Sequence, residues 1–338
     1  MSETYDDLQF YSTDKVTSLT EEELQLIDIF VFTRQWVFPF KDGLLHLNAI
    51  EDMAKELRKY GARIIVDIDD YWELTANHPF YADYQKFNVK ESVRLHMRVA
   101  DVVTTTQPYL ASKIQPYNKN VHIFENCPWT KYEQYQPKPT KSDLVRFGYF
   151  GASQHLEDIE TVEFPFRRLA RDNSISGRWR IYLAGWRPDN AATQYYENVF
   201  TDNGFGVKNY GRIKAADVYS FMQGYNEVDV SIAPLRDTEF NRCKSDLKII
   251  EAGYMKKAII VTNTIPYLNG IKDGVEGFLI DPNKPKEWYS KIKWLINNPE
   301  AAAEMGEKLH QRITTERSIH EINQRRYKLY KSLKRGIS

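Results

Sequence analysis

Two short apolar runs, residues 28–32 (DIFVF) and 63–68 (RIIVDI), flank a segment in which Leu47, Ile50, Met53, Ala54 and Leu57 recur at steps of three and four. The runs read as buried strands and the period as a helix over 44–60, which Gly61 stops. This strand-helix-strand order constrains the fold more than any other feature. It requires parallel strands and a right-handed crossover, so the loop after the second strand lies at the carboxyl edge, where open α/β sheets place ligands. That loop carries Asp67, Asp69, Asp70, Tyr71 and Trp72.

The alternation continues with a helix over 89–100, a strand at 101–105, a helix at 108–114 and a strand at 121–124. Residues 128–141 (PWTKYEQYQPKPTK) combine proline, charge and no period, and read as a linker. A second α/β series follows, with strands at 145–150, 179–184, 207–210, 228–232, 258–262 and 277–280. The expected organisation is a polar arm (1–26), a first Rossmann-like domain (27–140), a second Rossmann-like domain (141–315) and a basic helix (316–338) packing back on the first domain. A chain of 338 residues with 42% hydrophobic content suits two such domains.

A net charge of zero hides an asymmetry. Residues 1–143 hold 16 Lys/Arg against 22 Asp/Glu, a balance of −6, and the remainder balances at +6. The basic tail, with six cations between Arg325 and Arg335, therefore has acidic partners within the chain. Peripheral membrane contact through that helix stays open, as does nucleic acid as a partner, although the acidic first half disfavours a large nucleic-acid footprint. No run approaches a membrane span and the acidic start lacks signal-peptide character, so a cytoplasmic address is expected. The two cysteines, Cys127 and Cys243, indicate neither a disulfide framework nor a zinc site.

Residues 243–263 (CKSDLKIIEAGYMKKAIIVTN) join a polar turn, a helix and an apolar strand. On a helix starting near Ser245, Lys244, Lys248, Glu251 and Met255 share one side, and Leu247, Ile250 and Tyr254 the other. Ser245 or Asp246 can cap the first turn, leaving backbone N–H groups beside two lysines, an arrangement suited to phosphate. Glu251 can accept from a sugar diol. The alternative is a capped surface helix with a weak Lys248/Glu251 pair.

Further landmarks follow the strands: Gly148 and Gly151 with His155 and Asp158, Gly185 after 181–184, Gly211, the run 229–235 (DVSIAPL), and Asp273-Gly274 with Gly277. Together with Lys244-Ser245, Lys248 and Glu251, they resemble the GT4-like, two-Rossmann-domain (GT-B) glycosyltransferases that use nucleotide sugars. The likeness covers residues 145–330 well and the first half in outline. It implies a UDP- or GDP-linked donor, no required cofactor or metal, and retention of anomeric configuration. It also implies that Ser245, Asp246 and Leu247 hold the diphosphate, Glu251 the ribose, and the backbone at Ile213 the base, with Gly151, Ser153, His155, Gly185 and Arg212 around the donor.

Two departures stand out. Cys243 occupies the place of the first glutamate of an E-x7-E pair, and Ala152-Ser153-Gln154-His155 replaces an Arg/Lys pair. The leaving diphosphate still requires a cation, for which Lys244 is the first candidate, with Lys248 and Arg242 behind it. Asp67 and Asp69 match the metal-binding D-x-D pattern, while Asp69, Asp70 and Trp72 suit contact with an acceptor hydroxyl and ring. The expectation is a glycosyltransferase acting on a hydroxyl acceptor in the interdomain cleft: a glycan, a lipid-linked acceptor or a modified nucleobase. A metal-dependent D-x-D transferase, or an inactive glycan- or nucleic-acid-binding relative, stays open beside it.

Overall fold

The computed structural model describes residues 5, 7–10, 18–36, 47–128, 132–138, 141–151, 155–188, 190–204 and 206–334. The chain divides into two units, Met1–Glu125 with Ile319–Ser338, and Asn126–Ser318.

In the first unit, α1 (Glu21–Leu26) opens on a reciprocal capping box between Thr20 and Glu23. Then come β1 (Ile29–Thr33), α2 (Leu47–Lys59), β2 (Arg63–Ile68), α3 (Tyr81–Lys86), α4 (Val89–Val99), β3 (Val102–Thr105), α5 (Pro108–Ile114) and β4 (Val121–Ile123). The four strands are parallel in the order β1-β2-β3-β4. Ile64, Ile65, Val66 and Ile68 of β2 are all buried, as are Ile50, Ala54 and Leu57 of α2. That continuous burial explains why RIIVDI shows no apolar/polar alternation: a parallel strand is covered on both faces.

The second unit contains β5 (Val145–Phe150), α6 (Leu156–Glu160), α7 (Glu163–Arg171), β6 (Trp179–Trp186), α8 (Ala191–Thr201), β7 (Tyr210–Lys214), β8 (Val230–Ala233), α9 (Glu239–Arg242), α10 (Leu247–Tyr254), β9 (Ala258–Thr262), β10 (Gly277–Ile280), α11 (Glu287–Asn297) and α12 (Pro299–Glu316). Its six parallel strands run β10-β9-β8-β5-β6-β7. From β5 the chain winds outward through β6 and β7, then returns past β5 to build β8, β9 and β10. The reversal leaves a crevice at the carboxyl ends near β5, the usual ligand position in such sheets.

The expected strand at 207–210 is corrected: Val207–Asn209 form a 3-10 turn and β7 begins at Tyr210, so Gly211 lies inside the strand. The proline-rich stretch read as a linker belongs, where described, to the second unit, with Gln134 buried and donating to the Val218 carbonyl at 3.0 Å.

Helix α13 (Ile319–Leu333) belongs to the first unit. Its basic side chains meet acids of that unit, Lys331 with Asp7 at 2.7 Å and Arg325 with Glu125 at 2.8 Å, while Tyr327 stacks on Tyr5. Among the described residues no helix is long and apolar enough to cross a membrane.

Candidate functional site

At the carboxyl ends of β5, β6 and β7 the second unit holds a pocket of about 450 Å³. Phe150, Gly151, Gly185 and Ile213 form its strand-end walls, and Lys248 of α10 reaches it from the other side of β5. Gly185 has φ +80° where the β6/β7 register shifts, a left-handed conformation that turns the strand end at little steric cost. Three cations, Arg187, Lys214 and Lys248, line the pocket, and no carboxylate lines it among the described residues. Such a concave, one-sign surface concentrates anions.

Behind the pocket wall lies a connected polar chain. The Phe150 ring stacks on Tyr225 with centroids 3.7 Å apart and planes 4° from parallel. The Tyr225 hydroxyl donates to Glu251 Oε2 at 2.8 Å, and Lys248 Nζ donates to the same oxygen at 2.8 Å. Burial, followed by the Glu251 charge, pushes the Tyr225 phenol well above its ordinary pKa, so it stays a donor. Glu251 is only 5% exposed, and among the described residues its hydrogen bonds fall on Oε2. Oε1 is left to accept from a ligand.

The helix itself differs from the sequence expectation in three ways. Helix α10 begins at Leu247, and Asp246 makes no side-chain capping bond. The Asp246 carboxylate takes the Arg317 guanidinium, and Ser245 Oγ accepts from Asn126 at 2.7 Å. Nor is the helix two-faced: every residue from Ile249 to Met255 is buried, while Leu247 is exposed. The cause is close packing on α12, where a Cβ at Gly253 would sit 2.7 Å from Ile313 Cγ1.

Of the other expected donor residues, Lys244 holds its Nζ 4.5 Å above the Phe240 ring. Arg242 is paired with Asp237 at 2.7 and 2.8 Å. Arg212 is gripped by Glu197, with its guanidinium over the Trp186 ring at 4.7 Å. Cys243 is fully buried. His155 Nδ1 lies 2.7 Å from Asp158 Oδ2. Ser153 lies outside the described residues. The structure thus brings Gly151, Gly185, Ile213 and Lys248 to one pocket, with Glu251 behind Lys248, and engages Arg212, Arg242, Ser245 and Asp246 in contacts of their own. Sequence reasoning missed Arg187, Asn190, Thr193, Tyr196, Lys214 and Phe221, which also line the pocket. Arg187 directly follows β6 and Lys214 ends β7, so correct strand ends would have pointed to these two, whereas Asn190 caps α8 and Thr193 and Tyr196 lie within it.

In the first unit, Arg34 follows β1 with φ +61° and grips Asp69 at 2.6 Å and Asp70 at 2.8 Å. Its N–H donates to the Asp67 carbonyl at 2.9 Å. Asp67 itself accepts from the Thr104 hydroxyl, and burial raises its carboxyl pKa. Trp72 corrects an expectation: it is 3% exposed and packs against Tyr71 and Tyr117, so its ring is core and not an open stacking surface. Among the described residues no group of three or more His, Cys, Asp or Glu side chains forms a metal-binding cluster.

Residues 147–298 match the family model described as Glycosyl transferases group 1. No curated protein matches the chain by sequence. Among solved structures, TarM is 14% identical with a TM-score of 0.62, covering 89% of this chain and 54% of TarM, so the chain spans about half of that protein's length. HepE from Anabaena in complex with UDP is 15% identical with a TM-score of 0.61, covering 92% of this chain and 80% of HepE. Sucrose-phosphate synthase from Thermosynechococcus elongatus is 15% identical with a TM-score of 0.59, covering 84% and 77%. Residues 147–298 are accordingly a glycosyltransferase group 1 domain, in a chain with the GT-B fold.

Proposed function

We propose that the chain transfers a sugar from a nucleoside diphosphate donor to a hydroxyl acceptor, with the donor held in the pocket of the second unit. One observation carries the reading: a cationic pocket at the carboxyl ends of the central strands, with Lys248 at its edge fixed by the buried Glu251. Glu251 Oε1 accepts from the ribose diol, and Lys248, Arg187 and Lys214 balance the diphosphate. As the bond between sugar and phosphate breaks, its electron pair passes to the diphosphate, where these cations stabilise the new charge without a metal. The acceptor hydroxyl adds to the sugar carbon and gives its proton to a diphosphate oxygen, with retention of configuration. HepE solved with UDP and with UDP-glucose supports a UDP-linked donor as the first to try, ahead of a GDP-linked one. A TarM variant was solved with fondaparinux, which supports a glycan as the acceptor class.

The test is a thermal-shift screen of UDP- and GDP-sugars, followed by nucleotide-release assays with glycan acceptors in excess chelator. Stabilisation by one donor and chelator-resistant release are expected. Absence of any donor binding overturns the reading, and release abolished by chelator overturns its metal-free form.

A further inference from the structure

Asp158 is buried among polar partners from three segments. Its Oδ2 faces His155 Nδ1 at 2.7 Å, and its Oδ1 accepts from the Arg236 N–H at 2.8 Å and from Asn241 Nδ2 at 2.7 Å. The carboxylate is 6% exposed and the imidazole 17%. His155 follows the pocket-wall residue Gly151 by four positions, and its backbone is hydrogen-bonded to Tyr196, another lining residue. An acceptor-only carboxylate puts the proton of this pair on Nδ1. A diphosphate also offers only acceptors, so Nε2 can meet it only with a proton of its own. The ring then carries a full positive charge, which Asp158 balances.

We infer, building on the donor-site reading above, that His155 contacts the donor diphosphate as an imidazolium and that Asp158 is the positioning residue that orients and charge-balances it. No Arg/Lys pair follows the β5 glycine turn, and His155 supplies the positive charge there. Through Arg236 and Asn241, the same carboxylate fixes the segment between β8 and α9. Substituting Asp158→Asn keeps an oxygen for those two donors and removes the counter-charge, so it separates the two tasks.

The experiment is titration of the full chain with UDP and with GDP, on variants whose thermal unfolding remains cooperative. His155→Gln and Asp158→Asn are each expected to weaken binding about tenfold or more, as for a lost charged hydrogen bond. Their double variant should be no weaker than either single one, because both remove the same contact. His155→Lys, which carries its own charge, should retain binding and restore it beside Asp158→Asn. Unchanged affinity in His155→Gln, additive losses, or no rescue by lysine overturns the inference. The pair His155→Gln and His155→Lys decides it even if Asp158→Asn does not fold. A wild-type chain that binds neither nucleotide removes the donor-site reading and this inference together, whereas wild-type binding with an unaffected His155→Gln removes this inference alone.

Discussion

Tyr225 and Lys248 converge on one oxygen of Glu251, each at 2.8 Å, although Tyr225 precedes Glu251 by 26 residues and Lys248 by three. The carboxylate is therefore held from the pocket side and from the core at once. Substituting Tyr225→Phe removes one buried hydrogen bond and should cost about 1 kcal/mol of stability, with donor affinity several-fold weaker. Substituting Glu251→Ala leaves a buried phenol without its acceptor and should cost about 1–3 kcal/mol while abolishing transfer. Chemical denaturation and donor titration on the same samples check both; equal affinity in Tyr225→Phe and wild type would remove the positioning role.

The two lysines should separate. Lys248 lines the pocket, whereas Lys244 holds its ammonium over Phe240. Lys248→Ala is expected to lower kcat by about a hundredfold or more, the scale of one lost electrostatic stabiliser, and Lys244→Ala by much less. Steady-state kinetics with saturating donor decides; the reverse ranking would return the role to Lys244.

Gly253 sets how closely α10 approaches α12. A Cβ there would lie 2.7 Å from Ile313 Cγ1 and 3.2 Å from Leu309 Cγ, both in the core. Gly253→Ala should destabilise by about 1–3 kcal/mol, and adding Ile313→Val should recover part of it. Urea unfolding of the two variants tests this, and an unaltered midpoint for Gly253→Ala would contradict it.

Acid should weaken the first unit through His96. The ring is fully buried, donates from Nδ1 to the Ser92 carbonyl at 2.7 Å and stands edge-on to Trp36. Burial pulls its pKa from 6.5 down to about 4. Since the folded pKa is the lower one, the unfolded chain binds the proton more readily between those values. The stabilisation is complete above about pH 6.5 and falls away as pH drops toward 4, by about 3 kcal/mol in all. Unfolding midpoints measured from pH 7 to 4 should fall along that limb, and His96→Gln should flatten it.

The alternation of apolar runs with helical periods made both parallel sheets legible, because strands covered on both faces are written as unbroken Ile/Val/Leu runs. Edge strand β7 was misplaced for the opposite reason. Tyr210, Arg212 and Lys214 look unlike a strand until Glu197 and Trp186 are seen to receive the Arg212 side chain. In α10, Lys248 and Glu251 were visible as a pair, but Tyr225 was not, since nothing local marks a tyrosine that reaches a carboxylate 26 positions on. The expected two-sided wheel, with one side to bury and one to hold a ligand, failed because α12, far along the chain, packs closely on α10 and leaves every residue from Ile249 to Met255 buried.

The chain enters the second unit once and leaves it once, with α13 completing the first. Removing α13 would therefore injure not the matched residues 147–298 but the unit that holds Met1–Glu125. The first unit is discontinuous: a ribosome must finish the second before the first has all its parts. Its closing helix, α13, is made after every residue of the second unit, and a fragment ending at Ser318 is expected to retain an intact second unit and a first unit that has its four strands but lacks that helix.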